Sequence, residues 1–332
     1  MVSREFWNTV KTNTKFLVIS HIFPDGDAVG SLLATGMVLK TMGKKTTMVI
    51  MDKTPECFDF LPGINEVKRG FDGVFDCVIV LDCSDVDRIG IKANLKTIGR
   101  IIVNIDHHPG NTYFGDVNIV DPSASSVGEI LYKLFKELEI QFDTCLGECI
   151  FTSIATDTGS FKYSNTTPDC MRICSELIGV GVRPERVSRF VFETKAIKSL
   201  QLLQKALSSL KIGKDGLYAW MEVPLKIQTE LKVDDEDFEG IINYARQIKG
   251  VEVGILFREM DKGVKISFRS NDWFDVGKLA RELGGGGHTR ASGCIVEGKY
   301  DVIKKRVLDK IRTKLSQKGL RDDGNKWHTK HS

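Results

Sequence analysis

The amino-acid sequence predicts an α/β protein of two domains, and three observations support that prediction. The chain has 332 residues, which is enough for two domains of ordinary size. In its first half, short apolar runs alternate with segments of helical periodicity, a pattern typical of a parallel sheet covered by helices on both faces. After residue 211 the pattern changes to strand-like segments that indicate a smaller α/β domain with a mixed, mostly antiparallel sheet.

Four apolar runs predict the strands of the N-terminal domain, and the last two end in an aspartate: "FLVIS" (16–20), "TTMVIM" (46–51), "FDCVIVLD" (75–82) and "RIIVNID" (100–106). Helices are expected over 28–43, 125–140, 145–159 and 168–182. In the C-terminal domain, "GLYAWMEV", "VEVGILFREM" and "GVKISFRS" predict strands, and a helix is expected after the glycine-rich stretch "LGGGGHTRASGC" (283–294).

The domain boundaries follow from a lysine- and leucine-rich stretch without glycine, residues 183–210. We predict the N-terminal domain over residues 1–184, an interdomain helical linker over 185–210, and the C-terminal domain over 211–332. A linker of this kind would let a cleft between the domains open and close.

Composition limits the classes of function. The net charge of +3 is too small to indicate a general nucleic-acid binder, so no long duplex partner is expected, although a local basic site for an anionic substrate is compatible with it. No apolar run reaches the length of a membrane span, and the N-terminal segment lacks the apolar core of a signal peptide. We therefore expect a cytoplasmic protein that does not associate with membranes.

A tight loop rich in possible metal ligands follows the first predicted strand. Its sequence, "HIFPDGDAVGS" (21–31), places His21, Asp25 and Asp27 within seven residues. An Asp-Gly-Asp turn on its own is usually a solvated turn, and the spacing does not fit an EF-hand. The loop therefore indicates a metal site only if other ligands join it.

Further candidates lie where other predicted elements end. Asp82 ends one strand, and Asp106 ends another and is followed by His107 and His108 in "DHHPGN" (106–111). Asp157 lies in "TSIATDTGSF", at the end of a predicted helix. Each aspartate alone also fits a cap or turn, but the strand ends of a parallel sheet meet at one edge, where ligands bind. Four aspartates with two imidazoles suit Mn²⁺ or Mg²⁺ better than zinc, and they are enough for two ions that share a carboxylate.

The glycine-rich stretch of the C-terminal domain predicts an anion-binding segment. Gly284 to Gly287 leave several backbone N–H groups uncovered, and His288 and Arg290 add donors. Arg258, Arg269 and Ser270 end predicted strands, and an arginine fork suits phosphate. A flexible loop and ordinary surface arginines are the alternative interpretation of these residues.

The motifs as a set resemble those of the DHH phosphoesterase superfamily. "HIFPDGDAVGS", the aspartate of "VLDCSD", "DHHPGN" and "TSIATDTGSF" are similar to its four motifs in their order, and "GGGGHTRASG" resembles the signature of the accompanying DHHA1 domain. The resemblance covers nearly the whole chain and is greatest to the small nano-RNase (NrnA-like) branch.

The resemblance implies a role for each candidate residue. His21 and Asp25 would bind one divalent ion; Asp27, His107 and Asp157 would bind a second; and Asp82 would bridge the two. His108 would stand beside the substrate phosphate, with Asp106 orienting the histidines. Mn²⁺ is the expected ion, with Mg²⁺ or Co²⁺ as alternatives. The expected substrate-binding residues are Arg258, Arg269, Ser270, Gly285, Gly286, Gly287, His288 and Arg290.

The implied activity is hydrolysis of short oligoribonucleotides and linear dinucleotides of the pApA or pGpG type to nucleoside 5′-monophosphates. Two alternative substrates stay open, 3′-phosphoadenosine-5′-phosphate and a cyclic dinucleotide such as c-di-AMP. A non-catalytic nucleotide-binding regulator is the alternative of another class, although the complete ligand set argues against it. A homodimer is also expected from the family.

Overall fold

Five strands form the central sheet of the first half of the chain, in a computed structural model that describes residues 2–323. They are β1 (Lys15–Ile19), β2 (Lys45–Val49), β3 (Phe75–Leu81), β4 (Gly99–Asp106) and β5 (Val117–Val120). All neighbours pair in parallel, in the spatial order β2-β1-β3-β4-β5. The predicted parallel sheet is confirmed, and β5 is an edge strand that the sequence patterns did not indicate.

Seven helices accompany this sheet within the described part of the chain: α1 (Val2–Thr12), α2 (Gly26–Thr41), α3 (Leu95–Ile98), α4 (Val127–Glu137), α5 (Thr144–Asp157), α6 (Pro168–Gly179) and α7 (Pro184–Ser188). Side-chain oxygens start several of them. The Asp25 carboxylate accepts from the Ala28 N–H, and the Ser126 hydroxyl accepts from the Glu129 N–H. The helices therefore begin where the loops carrying the candidate ligands end.

The central sheet has an apolar core on each face. Phe16 and Val18 of β1 belong to one buried cluster, together with residues of α2, α4 and α5. Leu17 and Ile19 of the same strand belong to the cluster on the other face. This alternation is the period of two expected for a strand that is buried on both sides, and it holds the sheet edge rigidly beneath the loops.

The predicted linker is not one continuous helix. After α7 the chain forms a π-helical turn over Arg189–Glu193, and Thr194 then adopts extended backbone. Phenylalanine, valine and threonine in this stretch are weak helix formers, and the ring of Phe190 stacks on Phe60 at 4.8 Å. The chain divides into two compact units between Thr194 and Lys195, the N-terminal unit and the C-terminal unit. The domain ranges stay a prediction, and their residues 1 and 324–332 lie outside the described residues.

The C-terminal unit contains a mixed sheet. Its elements are α8 (Ile197–Ser208), β6 (Lys211–Ile212), β7 (Tyr218–Val223), α9 (Leu225–Leu231), α10 (Ile241–Arg246), β8 (Val253–Met260), β9 (Gly263–Ser270), α11 (Val276–Arg281), β10 (Gly286–Gly287), β11 (Ala291–Glu297) and α12 (Tyr300–Asp323). The strand order is β10-β11-β9-β8-β7-β6, and only β7 and β8 pair in parallel. The predicted mixed, mostly antiparallel sheet is confirmed. Among helices of residues 2–323, none combines the length and the apolar character needed to cross a bilayer.

Glycines let α2 approach α5 closely. A Cβ atom at Gly30 would lie 2.4 Å from the carbonyl oxygen of Cys149, and one at Gly26 would lie 2.3 Å from Cγ2 of Thr156. Real Cβ atoms do not come this close to backbone oxygen, so the contact needs glycine. The close approach brings the start of α2, with Asp25 and Asp27, next to the end of α5, with Asp157.

We predict that Gly30→Ala lowers the free energy of unfolding of the N-terminal unit by about 1–3 kcal/mol, because the added methyl group has to displace the backbone of α5. Gly179→Ala in α6 is the matched control, since a Cβ there meets no atom within 4 Å. Urea denaturation followed by circular dichroism measures both variants. Equal stability of the two variants would contradict the close helix contact.

Candidate metal centre and substrate-binding residues

The candidate ligands meet at the carboxyl edge of the parallel sheet. His21 follows β1, Asp82 follows β3, and His107 follows β4, and these three strands are neighbours in the sheet. The loop after β1 adds Asp25 and Asp27 at the start of α2. Parallel strands deliver their C-terminal loops to one edge, so the sheet topology alone explains why residues far apart in sequence converge.

Asp82 lies at the centre of the cluster in a constrained backbone conformation. Its φ is +57°, in the left-handed region that residues with a Cβ rarely adopt. The residue is 2% exposed, and its N–H donates to the carbonyl of Ile105 on the neighbouring strand. Burial, together with the nearby carboxylates of Asp27 and Asp25, raises the pKa of Asp82 well above its ordinary value.

His21 and Asp25 lie on one side of Asp82. The Nε2 atom of His21 is 3.2 Å from Oδ2 of Asp82 and 3.9 Å from Oδ1 of Asp25. The other ring nitrogen, Nδ1, lies 2.8 Å from the carbonyl oxygen of Ile22. A carbonyl can only accept, so Nδ1 carries a proton, and Nε2, which faces the two carboxylates, is the nitrogen that could bind a metal ion.

Asp27, His107 and Asp157 lie on the other side. The Nε2 atom of His107 is 3.7 Å from Asp27, 3.5 Å from Asp157 and 3.7 Å from Oδ1 of Asp82. Asp27 accepts from the Val127 N–H at 2.8 Å and from the Ser153 hydroxyl at 2.5 Å, so the N-terminus of α4 and α5 both hold its carboxylate.

Burial changes the protonation of this second group. It raises the pKa of Asp27 to about 7, although His107 acts in the opposite direction. It also raises the pKa of Asp157 to about 6. Burial disfavours the charged form of the His107 ring, but the carboxylates of Asp27 and Asp157 outweigh it and raise the pKa of His107. The carboxylates and the imidazole therefore compete for protons in the cation-free protein.

Asp106 makes a hydrogen bond with each of its two carboxylate oxygens. One of its oxygens lies 2.7 Å from Nδ1 of His108, and the other accepts from Nδ2 of Asn111 at 2.6 Å. Burial alone would raise the pKa of Asp106, but these hydrogen bonds hold it below its ordinary value. Because both oxygens are occupied, the carboxylate fixes the orientation of His108.

The cluster fits divalent cations. Three groups place their ligand atoms within 4.8 Å of one another: His21, Asp25 and Asp82; Asp27, His107 and Asp157; and Asp82, His107 and His108. Asp82 and His107 each belong to two of these groups, and the buried Oδ1 of Asp82 accepts no hydrogen bond from the part of the chain that the structure describes. The salt bridges of the four ligand carboxylates with described residues are all to histidines and none is to lysine or arginine. Asp27 and Asp82 are buried without a lysine or arginine partner among the described residues, and bound cations would remove the cost of burying their charges.

Arg258, predicted to bind phosphate, is already engaged within the C-terminal unit. Its Nη1 forms a salt bridge with Asp235, and its Nε donates to Gln228 at 2.7 Å. The guanidinium also lies 4.0 Å from the centre of the Phe238 ring. These contacts leave little of the fork for a ligand, so Arg258 is not included in the substrate-binding residues proposed below.

The other predicted substrate-binding residues gather around β9, β10 and β11. Gly286 and Gly287 form β10 and are exposed, Gly287 has a φ of +131°, and a Cβ at Gly285 would lie 2.2 Å from the Gly293 carbonyl oxygen. The side chain of His288 is exposed. Ser270 is buried, and the N–H of Ser270 donates to the carbonyl of Arg290. Arg269 is the penultimate residue of β9 and pairs in register with Ala291. The guanidinium of Arg290 donates to the carbonyls of Phe274 and Asp272, which supports the loop itself.

Some residues of the metal centre were not predicted. Asn111, inside the quoted "DHHPGN" segment, binds Asp106, and Asn165 donates to Oδ2 of Asp157 at 3.3 Å. Ser153 lies four residues before Asp157 on α5, a helical spacing that places both on one face. That spacing was readable from the sequence, whereas Asn165 reaches Asp157 only through the path of its loop.

We predict that Mn²⁺ binds about tenfold more weakly at pH 6 than at pH 8, with proton release at the lower pH. Binding is weaker at pH 6 because the pKa values of Asp27, about 7, and Asp157, about 6, are raised. At pH 6 these carboxyl groups hold protons that a cation has to displace, whereas at pH 8 both are ionised. Calorimetry in buffers of different ionisation enthalpy measures both quantities. Binding that is independent of pH over this interval would be incompatible with these carboxyls as ligands.

Comparisons with known proteins agree with this architecture. Residues 15–154 match the DHH family, N-terminal domain, and residues 216–317 match the DHHA1 domain. The bifunctional oligoribonuclease and PAP phosphatase NrnA of Thermus thermophilus is 31% identical, over 91% of this chain and 90% of that protein. The protein of the same name from Bacillus subtilis is 26% identical, over 88% of this chain and 92% of that protein.

A solved structure matches along the same length. The crystal structure of an exopolyphosphatase-related protein from Bacteroides fragilis superposes with a TM-score of 0.87 at 27% identity, covering 95% of this chain and 97% of that one. The sheet order, the ligand cluster and the two domain matches all agree with the resemblance seen in the sequence motifs. The chain therefore belongs to the DHH phosphoesterase family and carries a DHHA1 domain.

Proposed function

We propose that this protein hydrolyses the phosphodiester bonds of short oligoribonucleotides and linear dinucleotides, such as pApA and pGpG, to nucleoside 5′-monophosphates. The observation that carries the proposal is the group of carboxylates and imidazoles centred on Asp82, whose buried Oδ1 accepts no hydrogen bond from the described residues. The substrate class is supported by full-length relatives named oligoribonuclease and PAP phosphatase. The activity is therefore that of a hydrolase acting on phosphoester bonds.

In this proposal two divalent cations occupy the cluster. His21 and Asp25 hold one, Asp27, His107 and Asp157 hold the other, and Asp82 serves both. Mixed carboxylate and imidazole ligands favour Mn²⁺, with Mg²⁺ or Co²⁺ as alternatives. When bound, such a pair supplies an activated water and neutralises charge on the reacting phosphate.

The chain's own residues prepare this site before any substrate arrives. The Ile22 carbonyl fixes the ring of His21, and the amides at the start of α4 fix the carboxylate of Asp27. Asp106 holds the ring of His108 at the edge of the cluster, where we propose that it lies near the reacting phosphate. Fixed groups of this kind need no reorganisation during the reaction.

The C-terminal unit supplies the residues that we propose bind the terminal phosphate of the substrate. These are Arg269, Ser270, Gly285, Gly286, Gly287, His288 and Arg290. The exposed glycine strand and the exposed imidazole of His288 are the most direct candidates, because Arg290 is held by backbone carbonyls. In a short substrate the terminal phosphate lies close to the bond that is cleaved, whereas internal bonds of a long strand have no terminal phosphate near them.

A second candidate substrate is favoured by the relatives' names, which include a PAP phosphatase activity. That reaction would cleave a phosphomonoester of 3′-phosphoadenosine-5′-phosphate with the same cations. Cyclic dinucleotides stay an alternative, and they have no terminal phosphate for the C-terminal residues to bind. A regulator that binds nucleotides without cleaving them would leave the ligand set around Asp82 without a purpose.

We predict that the wild-type protein with Mn²⁺ cleaves linear di- to pentanucleotides faster than cyclic dinucleotides or pyrophosphate. Asp82→Ala is expected to reduce turnover by about 10³-fold or more, because the residue that we propose serves both cations is lost. Chromatography of the products from a panel that also contains 3′-phosphoadenosine-5′-phosphate measures these rates.

Asp72→Ala is the matched control, because it removes an exposed carboxylate from the loop before β3, at the opposite edge of the sheet. This variant should retain wild-type activity. Nucleotide binding without cleavage of any member of the panel would support the regulator instead. Near-normal turnover by Asp82→Ala would exclude the shared-ligand arrangement.

A further inference from the structure

Arg88 lies beside the metal centre but has no assigned role in it. It belongs to a short 3₁₀ turn, Val86–Ile89, six residues after Asp82. Its N–H donates to Oδ1 of Asp85 at 3.2 Å, and its carbonyl accepts from the N–H of Ile22 at 2.9 Å. The backbone of Arg88 is thus tied to the loop that carries His21, and its side chain starts from a fixed position.

The side chain of Arg88 reaches His108. Its Nη1 lies 3.4 Å from Nε2 of that ring, while Nδ1 of the ring lies 2.7 Å from Oδ1 of Asp106. A guanidinium has only donors, so Nε2 has to accept and Nδ1 has to carry the proton. The three side chains therefore form a hydrogen-bonded chain in which Arg88 donates to His108 and His108 donates to Asp106.

These hydrogen bonds limit the role that His108 can play. The lone pair on its Nε2 points at the guanidinium of Arg88, and the proton on its Nδ1 points at the buried carboxylate of Asp106. The ring therefore has no free nitrogen to offer to a phosphate in this arrangement, whereas Arg88 does have free donors. His108 is well placed to hold Arg88, and Arg88 is well placed to contact what lies at the cluster.

Arg88 also lacks an ionic partner among the described side chains. Within residues 3–316, whose side chains the structure describes, no carboxylate forms a salt bridge with it, although Asp82 and Asp106 lie beyond His108. Arg100 of the same unit, in contrast, pairs with Asp76 at 2.6 Å. A half-buried guanidinium with unused donors at the edge of a site for phosphate suits a phosphoryl group, because its fork matches two phosphate oxygens.

We propose that Arg88 is a substrate-binding residue that contacts the reacting phosphate, and that His108 is the positioning residue that aims it. The inference rests on the proposed phosphodiesterase function. The guanidinium binds the phosphoryl oxygens and stabilises the charge that they gain as the substrate is attacked. It differs from the ligand residues in that removing it leaves every carboxylate and imidazole of the cation groups in place.

The test compares Arg88→Gln and Arg88→Lys with the matched control Arg100→Gln. Arg100 lies near the start of β4, so the control removes the same charge about 20 Å away, at the opposite edge of the sheet. For pApA with Mn²⁺, we expect kcat/KM to fall about 10²-fold in Arg88→Gln and about tenfold in Arg88→Lys, and to stay within about twofold in the control.

Two binding measurements separate this role from a structural one. Calorimetry should show Mn²⁺ bound with unchanged stoichiometry and affinity in both Arg88 variants. AMP should bind to the Mn²⁺-loaded Arg88→Gln protein about tenfold more weakly than to the wild type. Added guanidinium ion should also restore part of the activity of Arg88→Ala, which a purely structural arginine would not allow.

The experiments distinguish failure of the proposed function from failure of the inference about Arg88. If the wild type cleaves no member of the panel, the proposed function fails, and AMP binding still decides the role of Arg88. If the wild type is active and Arg88→Gln retains its kcat/KM and its AMP affinity, the inference is overturned and the function stands. Loss of Mn²⁺ binding together with activity in both Arg88 variants would assign a structural role and would equally overturn the inference.

Discussion

The structure depends on a group of carboxylates that is held together at one edge of a parallel sheet although their charges repel one another. Asp25, Asp27, Asp82 and Asp157 converge there with histidines as their only salt-bridge partners among the described residues. Burial raises the pKa of Asp27, Asp82 and Asp157 and so favours their neutral forms. Divalent cations, which we propose occupy the cluster, would resolve this conflict.

The scaffold keeps the carboxylates together in spite of that repulsion. A hydrogen bond to the adjacent strand fixes Asp82 in a left-handed conformation. The close glycine contact between α2 and α5 keeps the ends of these two helices, and the aspartates they carry, next to each other. Asp106, Asn111 and His108 form a second layer of hydrogen bonds around the cluster. Rigid elements below and directed hydrogen bonds beside the ligands are what a preorganised site requires.

Much of this arrangement could be predicted from the sequence, since periodicity and topology determine it. Apolar runs ending at Asp82 and Asp106 indicated a parallel sheet, and parallel strands bring their ends to one edge. The break near Thr194 could not be predicted, because the helical periodicity continues through weak helix formers that the Phe60–Phe190 contact holds in a π-helical turn. The engagement of Arg258 by Asp235 was also hidden, since their pairing depends on the tertiary path of the chain. The residues of the motifs could therefore be predicted from the sequence, whereas the residues that bind or orient them in the folded protein could not.

Anomalous diffraction at the manganese absorption edge, from crystals grown with Mn²⁺, tests the central claim most directly. The account predicts two separate peaks at the carboxyl edge of the N-terminal sheet, with a carboxylate oxygen of Asp82 within coordination distance of both. A single peak that Asp82 does not touch, or full-occupancy Mn²⁺ found only elsewhere on the protein, would contradict it.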